Sequence, residues 1–294
     1  MHSIPTPAPS DRDDEYTVSI VKYGTRETRR RELFLNYDLY GEPDGPARLD
    51  YFFWIARNQH RTVVIDTGFS SAAGQARGRT MLMHPSQALA ALGVDSAAVD
   101  TIVLTHAHYD HVGNVGLFPY SAVLLAEREL EFWTGPLADR RQFAAFSESV
   151  EIDELVAARK SGRLTTFTGT ARPAPGIEVH ELGGHTPGMS VVTVDTNAGT
   201  VLLASDSMHL YEQFEREMPF SGITDLAGMY QGYARIRQLL DGGVTHLVSG
   251  HDPSTLERFT PSPVLPGLAA TIGTTTADPL EARQADTTTP GRPT

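Results

Sequence analysis

Apolar residues in the central part of the chain fall into short runs that alternate with segments of helical period, the pattern of a mixed α/β protein. Tyr16–Tyr23 and Tyr51–Ala56 read as strands. Thr62–Ile65 is a β-branched run that ends in the turn Asp66-Thr67-Gly68. Pro85–Leu92 reads as a helix, with proline in its first turn and Gly93 just past its end. Val99–Leu104 is a buried strand that delivers Thr105 and a run of histidines at its C-terminal end. Ala122–Leu125 is a further strand and Glu127–Trp133 begins a helix. Strands resume at Ile177–Leu182, Val191–Val194 and Val201–Ala204, followed by a helix at Ala227–Leu240 and a last short strand at His246–Val248.

The same pattern sets the expected domain limits. Residues 1–14 are rich in Pro, Ser and Asp, and residues 272–294 turn to Thr, Ala, Asp and Pro. Neither stretch can bury enough surface to order itself, so both are expected to be tails around one domain at 15–271. Within that domain, residues 136–160 read mainly as helix and interrupt the strand pattern, as a cap over a site would.

Composition narrows the chemistry. The 294 residues carry 24 Lys and Arg against 36 Asp and Glu, a formal net charge of −12. That balance argues against a nucleic-acid binder, which favours a basic face. No cysteine is present, so disulfides and thiolate metal sites are excluded and any metal must be held by imidazole and carboxylate. No apolar run approaches a membrane span, and the N-terminal stretch does not read as a signal peptide. A cytoplasmic enzyme with a small-molecule partner is the expectation, with a homodimer left open.

The densest chemistry is Thr105-His106-Ala107-His108-Tyr109-Asp110-His111. Three imidazoles and a carboxylate follow directly on a buried strand. In an extended stretch His106 and His108 point the same way, and a turn after them brings Asp110 and His111 to a second focus. Such an arrangement suits two adjacent metals. Later strand ends supply more: His185 in Gly183-Gly184-His185-Thr186-Pro187-Gly188, Asp206 after Val201–Ala204, and His251 in Ser249-Gly250-His251-Asp252. The remaining histidines, His2, His60, His84, His180 and His246, read as structural. Phe52, Phe53, Trp54, Phe132, Trp133, Phe143 and Phe146 read as core, with those at 132–146 able to line a groove if that segment caps the site. Arg140 and Arg141 read as a solvated helix face.

The order HxHxDH, a later Gly-His, an Asp and a final Gly-His resembles the metallo-β-lactamase superfamily over roughly Tyr16 to Phe259. The resemblance implies an αββα sandwich with the site at one edge. It implies that His106, His108 and His185 hold one metal, that Asp110, His111 and His251 hold the other, and that Asp206 bridges them. Asp110 would also take part in catalysis, and Asp66 would orient a ligand histidine unless it is a plain turn aspartate. Thr105 and Thr186 read as structural. Nitrogen and oxygen ligands fit two zinc ions, with iron, manganese or cobalt as alternatives. The implied chemistry is attack on an ester-type bond by a hydroxide held between the metals.

Within the superfamily, the stretch Asp206 to Glu215 followed by Pro219-Phe220 resembles the N-acyl-homoserine lactonases, as does the single final Gly-His-Asp. A lactone is therefore the expected substrate. The alternatives are a thioesterase or another esterase of the same fold and, further off, a diiron oxidoreductase. One departure stands out: those lactonases carry a tyrosine three residues after the bridging aspartate, where this chain has His209. His209 is expected to contribute a hydrogen bond or a proton, and Tyr211 to substitute for the tyrosine only if the local backbone turns differently.

Overall fold

A computed structural model describes residues 14–274 of the chain. Its first seven strands are β1 (Thr17–Arg29), β2 (Pro46–Arg57), β3 (Thr62–Ile65), β4 (Thr80–Met81), β5 (Thr101–Val103), β6 (Ala122–Ala126) and β7 (Leu164–Phe167). A second set follows: β8 (Thr170–Ala174), β9 (Ile177–Glu181), β10 (Ser190–Thr196), β11 (Gly199–Leu203) and β12 (Val244–Val248). The chain then returns to the first set through β13 (Thr260–Pro261) and β14 (Ala269–Ile272). One sheet runs β13-β14-β1-β2-β3-β5-β6-β7 with β4 against β1, and the other runs β12-β11-β10-β9-β8.

Strand β2 shows why this sequence makes a sandwich. Its run Tyr51 to Ala56 is apolar throughout because both faces are covered. Phe52, Trp54 and Ala56 point into the layer between the sheets, where they meet Val192, Val194, Val201 and Leu203. Tyr51, Phe53 and Ile55 point outward, onto a core built with Ala88 and Leu89 of the helix Pro85–Ala91 and Leu155 of the helix Ser149–Lys160. On the far side, Val191 and Leu202 pack against Met229, Tyr233 and Ile236 of the helix Leu226–Asp241. Helix, sheet, sheet, helix is the expected αββα order.

Several expected boundaries shift. Strand β1 continues past Tyr23 to Arg29 because it pairs with β2 along its whole length, across an irregularity between Lys22 and Gly24. Strands β7 and β8 carry polar faces at a sheet edge and have no apolar run to betray them. The C-terminal tail expected from Ile272 starts too early: Ile272 pairs with Val18 and is only 4% exposed. Asp14, placed in the N-terminal tail, forms an ion pair with Arg61 at 3.4 Å. The rest of both expected tails lies outside the described residues. The 136–160 segment divides into two roles: Ser149–Lys160 is a layer helix on the first sheet, and the stretch before it, with the short helix Arg141–Ala144, reaches the site through Ala145 and Phe146.

Candidate metal centre

The C-terminal ends of β5, β11 and β12 and the loop from β9 to β10 converge at one edge of the sandwich. After β5 the backbone N–H of Ser190 is donated to the Thr105 carbonyl at 2.9 Å, tying this strand end to the second sheet. His106 to His108 follow, and a single helical turn, Tyr109–Val112, then swings Asp110 and His111 to the other side. His185 sits where Gly183 and Gly184 adopt positive φ of 77° and 89°. A Cβ on Gly184 would lie 2.7 Å from the Met229 backbone nitrogen, so the loop requires glycine there. A Cβ on Gly250 would lie 2.5 Å from the Ser205 carbonyl oxygen, so glycine also lets the Asp206 and His251 loops touch.

The buried Asp206 carboxylate faces two groups at once. Its Oδ2 lies 3.2 Å from His185 Nε2 and 3.7 Å from His106 Nε2, and His185 Nε2 is 3.0 Å from His108 Nδ1. Its Oδ1 lies 2.9 Å from His251 Nε2 and 3.3 Å from His111 Nε2. Asp110 Oδ2 closes the second group at 3.8 Å from His251 and 3.9 Å from His111. His106, His108, His185 and Asp206 thus form one set of convergent ligand-type atoms, and Asp110, His111 and His251 another. All seven are buried. His106 Nε2, His111 Nε2 and Asp206 Oδ1 have no hydrogen-bond partner among the described residues. Buried polar atoms rarely go unpaired, and a convergent set of nitrogens and oxygens without partners fits a pair of divalent cations.

The surroundings fix the imidazoles. Asp66 Oδ2 stands 2.7 Å from His111 Nδ1, and its carboxylate also accepts the Thr105 backbone N–H and hydroxyl, each at 2.8 Å. Asp66 itself adopts φ +61°, so the Asp-Thr-Gly segment is a tight turn that aims the carboxylate inward. The Asp50 carbonyl lies 2.9 Å from His251 Nδ1. With Nδ1 occupied on both rings, each Nε2 lone pair is left for the centre. Burial pushes His106 and His108 well below the usual histidine range, reinforced by neighbouring imidazoles. For His111 burial acts the same way, but Asp206, Asp66 and Asp110 outweigh it and raise the ring well above its usual value. His251 is raised for a similar reason. Despite burial, the surrounding imidazoles hold Asp206 well below the ordinary carboxylate range.

Glu129 escaped sequence reasoning, because an acid in the first turn of a helix is ordinary. Its buried carboxylate accepts the Ala107 N–H at 2.9 Å, the Gly188 N–H at 2.9 Å and the Trp133 indole at 2.7 Å. It latches the His106–His108 stretch to the His185 loop from behind.

His209 is at the site. Its Nε2 lies 3.0 Å from Asp206 Oδ2, and its ring stacks on Phe220 with centroids 3.7 Å apart and planes 2° from parallel. With Asp206 and His251 it forms a third ligand-type grouping. Tyr211 is not at the site, which corrects the expectation that it substitutes for a catalytic tyrosine. Its hydroxyl is donated to the Leu247 carbonyl at 3.2 Å, its ring packs in the outer core of the second sheet, and the Arg258 guanidinium lies 3.5 Å over it. Arg140 and Arg141 are exposed, as expected. His84 caps the helix Pro85–Ala91, and His180 and His246 lie in β9 and β12. His2 lies outside the described residues.

A cavity of about 320 Å³ opens onto the cluster, the size of a small-ligand pocket. Phe146, stacked on His108 at 5.2 Å, lines it together with Phe220, Tyr51, Tyr109 and Arg79. A smaller hollow of about 50 Å³ adjoins it behind Phe143 and Phe146. A larger groove of about 820 Å³ lies between the second sheet and the helix Leu226–Asp241. It gathers no metal-holding set among the described residues. No helix among them is long and apolar enough to cross a membrane.

Comparison with known proteins agrees with this geometry. The chain is 25% identical over 152 residues to an N-acyl homoserine lactonase of Bacillus sp, a match covering 51% of this chain and 55% of that protein. It thus spans about half the length of the curated relatives it matches. A crystal structure of a quorum-quenching N-acyl homoserine lactone lactonase superposes with a TM-score of 0.68 at 19% identity, covering 82% of this chain and 94% of the other. AidC, described as a dizinc quorum-quenching lactonase, superposes with a TM-score of 0.63 at 18% identity over 91% of this chain and 100% of its own. At such identity the superpositions establish the fold alone. Residues 49–250, which run from the early part of β2 to the glycine before His251, match the model of the metallo-beta-lactamase superfamily, and the chain belongs to that superfamily.

Proposed function

We propose that the protein is a dinuclear metal-dependent hydrolase that opens a lactone, of the N-acyl-homoserine type or a related one. The observation that carries this reading is the Asp206 carboxylate, with one oxygen toward His106 and His185 and the other toward His111 and His251. His106, His108, His185 and Asp206 would hold one ion, and Asp110, His111, His251 and Asp206 the other. Two zinc ions are the reading adopted; the donor set also fits iron, manganese or cobalt. Bound there, such ions supply Lewis acidity and lower the pKa of water. The lactone half of the reading is supported by the names of the relatives.

The chain's own residues supply positioning. Asp66 and the Asp50 carbonyl orient the two imidazoles of the second group. Burial holds the His209 ring low, at about 3, although Asp206 opposes it. The ring is held by Asp206 at Nε2 and by Phe220 across its face, and its Nδ1, without a partner among the described residues, would be the atom left for a hydrogen bond with substrate. Phe146 and Trp133, both against His108, keep water from that side. The acyl group would lie in the cavity that Phe146 helps to line. A sequence without cysteine needs no oxidising compartment, which supports a cytoplasmic location.

The test is hydrolysis of N-hexanoyl-homoserine lactone by zinc-loaded protein beside a panel of acyl thioesters and simple esters. Faster turnover of the lactone is expected. Turnover of thioesters alone would overturn the lactone reading and leave the hydrolase, and a coloured iron protein without hydrolysis would overturn both.

A further inference from the structure

Three arginines, Arg26, Arg77 and Arg79, line the metal-site cavity of a chain whose net charge is −12. Two of them are neutralised in place. Arg26 pairs with Glu32 at 3.0 Å, and Arg77 pairs with Glu148 while donating to the Ala73, Ala145 and Ser147 carbonyls. Arg79 forms no ion pair among the described residues. Its Nε donates to the Tyr109 hydroxyl at 3.0 Å and its Nη1 to the Arg77 carbonyl at 2.7 Å. Neither bond uses Nη2.

The position is built rather than incidental. The Arg79 backbone N–H is held by the Gly74 carbonyl at 2.8 Å, and Gly78 before it takes the left-handed φ of +64° that starts the turn into β4. Strand β4 is itself paired to β1. The guanidinium is half-buried and fixed on two sides; Asp110 favours its charge from beyond ion-pair distance, so a donor edge remains for an acceptor brought by a ligand. Planar bidentate donors of this kind match carboxylates.

We propose that Arg79 is a specificity residue that binds a carboxylate carried by the substrate, so that the preferred lactones are anionic. This rests on the lactone reading above and narrows it. Ring opening adds one water across the acyl C–O bond and leaves a carboxylate and an alcohol. The carboxylate meant here is a second one, on the substituent away from the reacting carbonyl.

The test uses an isosteric pair, N-succinyl-homoserine lactone and N-(4-methylpentanoyl)-homoserine lactone, with wild-type, Arg79→Met, Arg79→Lys and, as a surface control, Arg140→Met protein. Wild type is expected to favour the succinyl compound in kcat/KM by about tenfold or more, the scale of one charge-assisted hydrogen bond. That ratio should fall toward one in Arg79→Met, persist in part in Arg79→Lys and stay unchanged in Arg140→Met. A wild-type preference for the neutral isostere, or a ratio that survives in Arg79→Met, overturns the proposal. A second arm measures succinate binding to zinc-loaded protein by calorimetry. Should neither lactone react, a several-fold loss of succinate affinity in Arg79→Met would sink the lactone reading and keep the anion site. Equal affinities would sink the anion site itself.

Discussion

The floor of the cavity and its mouth are built on different principles. The floor takes its ligand-type residues from loops at the ends of β5, β9, β11 and β12, and each imidazole of its second group is fixed from behind by a specific acceptor. The mouth takes Arg79 from a turn, Phe146 from the segment before a layer helix, and Phe220 from a stretch that pairs with Phe34. The floor is chemically constrained, because few side chains present a lone pair to a cation. The mouth is constrained mainly by shape and charge. The floor should therefore decide whether the reaction happens, and the mouth which molecule undergoes it.

Substitutions can break that division or sharpen it. Asp206→Asn, at the floor, should lower hydrolysis by roughly 10³-fold and reduce bound metal, with secondary structure by circular dichroism unchanged. An active Asp206→Asn protein would erase the distinction. Asp66→Asn acts one bond further out, at the carboxylate facing His111 Nδ1. Metal affinity measured by competition with a chelator should weaken by about 10- to 100-fold. Phe146→Ala, at the mouth, should leave metal content intact and raise KM for long-chain lactones about severalfold, by losing apolar contact. A fall in metal content in that variant would show that mouth and floor are one unit.

The smallest effect is on stability and lies behind the mouth. Burial, with Glu148 adding, pushes the Glu151 carboxyl up to about 7 in spite of its hydrogen bond from Ser70. The folded chain keeps this proton at pH values where an unfolded glutamate has lost it. Its contribution to stability is therefore full below the usual value of 4.5 and gone once pH has risen through about 7. Glu151→Gln should accordingly gain on wild type as pH rises from 5 to 8, by about a few degrees in Tm. A gain that is largest at pH 5 would contradict the sign.

The floor was legible in the sequence for a physical reason. Histidines and aspartates placed at the ends of buried strands have few explanations besides ligation, and Asp66 sits in a recognisable turn. His209 was legible as a position but not as an environment, since its stacking on Phe220 depends on a stretch eleven residues away. Tyr211 misled because the short helix Tyr211–Glu215 turns its ring into the outer core, which a linear spacing cannot reveal. Arg79 carried no signal: an arginine in a short polar turn looks like solvated surface until β4 pairs with β1 and draws it into the wall. Glu129 was hidden likewise, because both of its loop partners are backbone N–H groups.

The central claim is that Asp206 joins two metal ions that act together. Its most direct test is a stepwise titration of metal-free protein with zinc, with bound metal and lactone hydrolysis followed in the same samples. The account predicts saturation at two ions per chain, with hydrolysis appearing mainly as the second ion binds. Full activity at one ion per chain would contradict it.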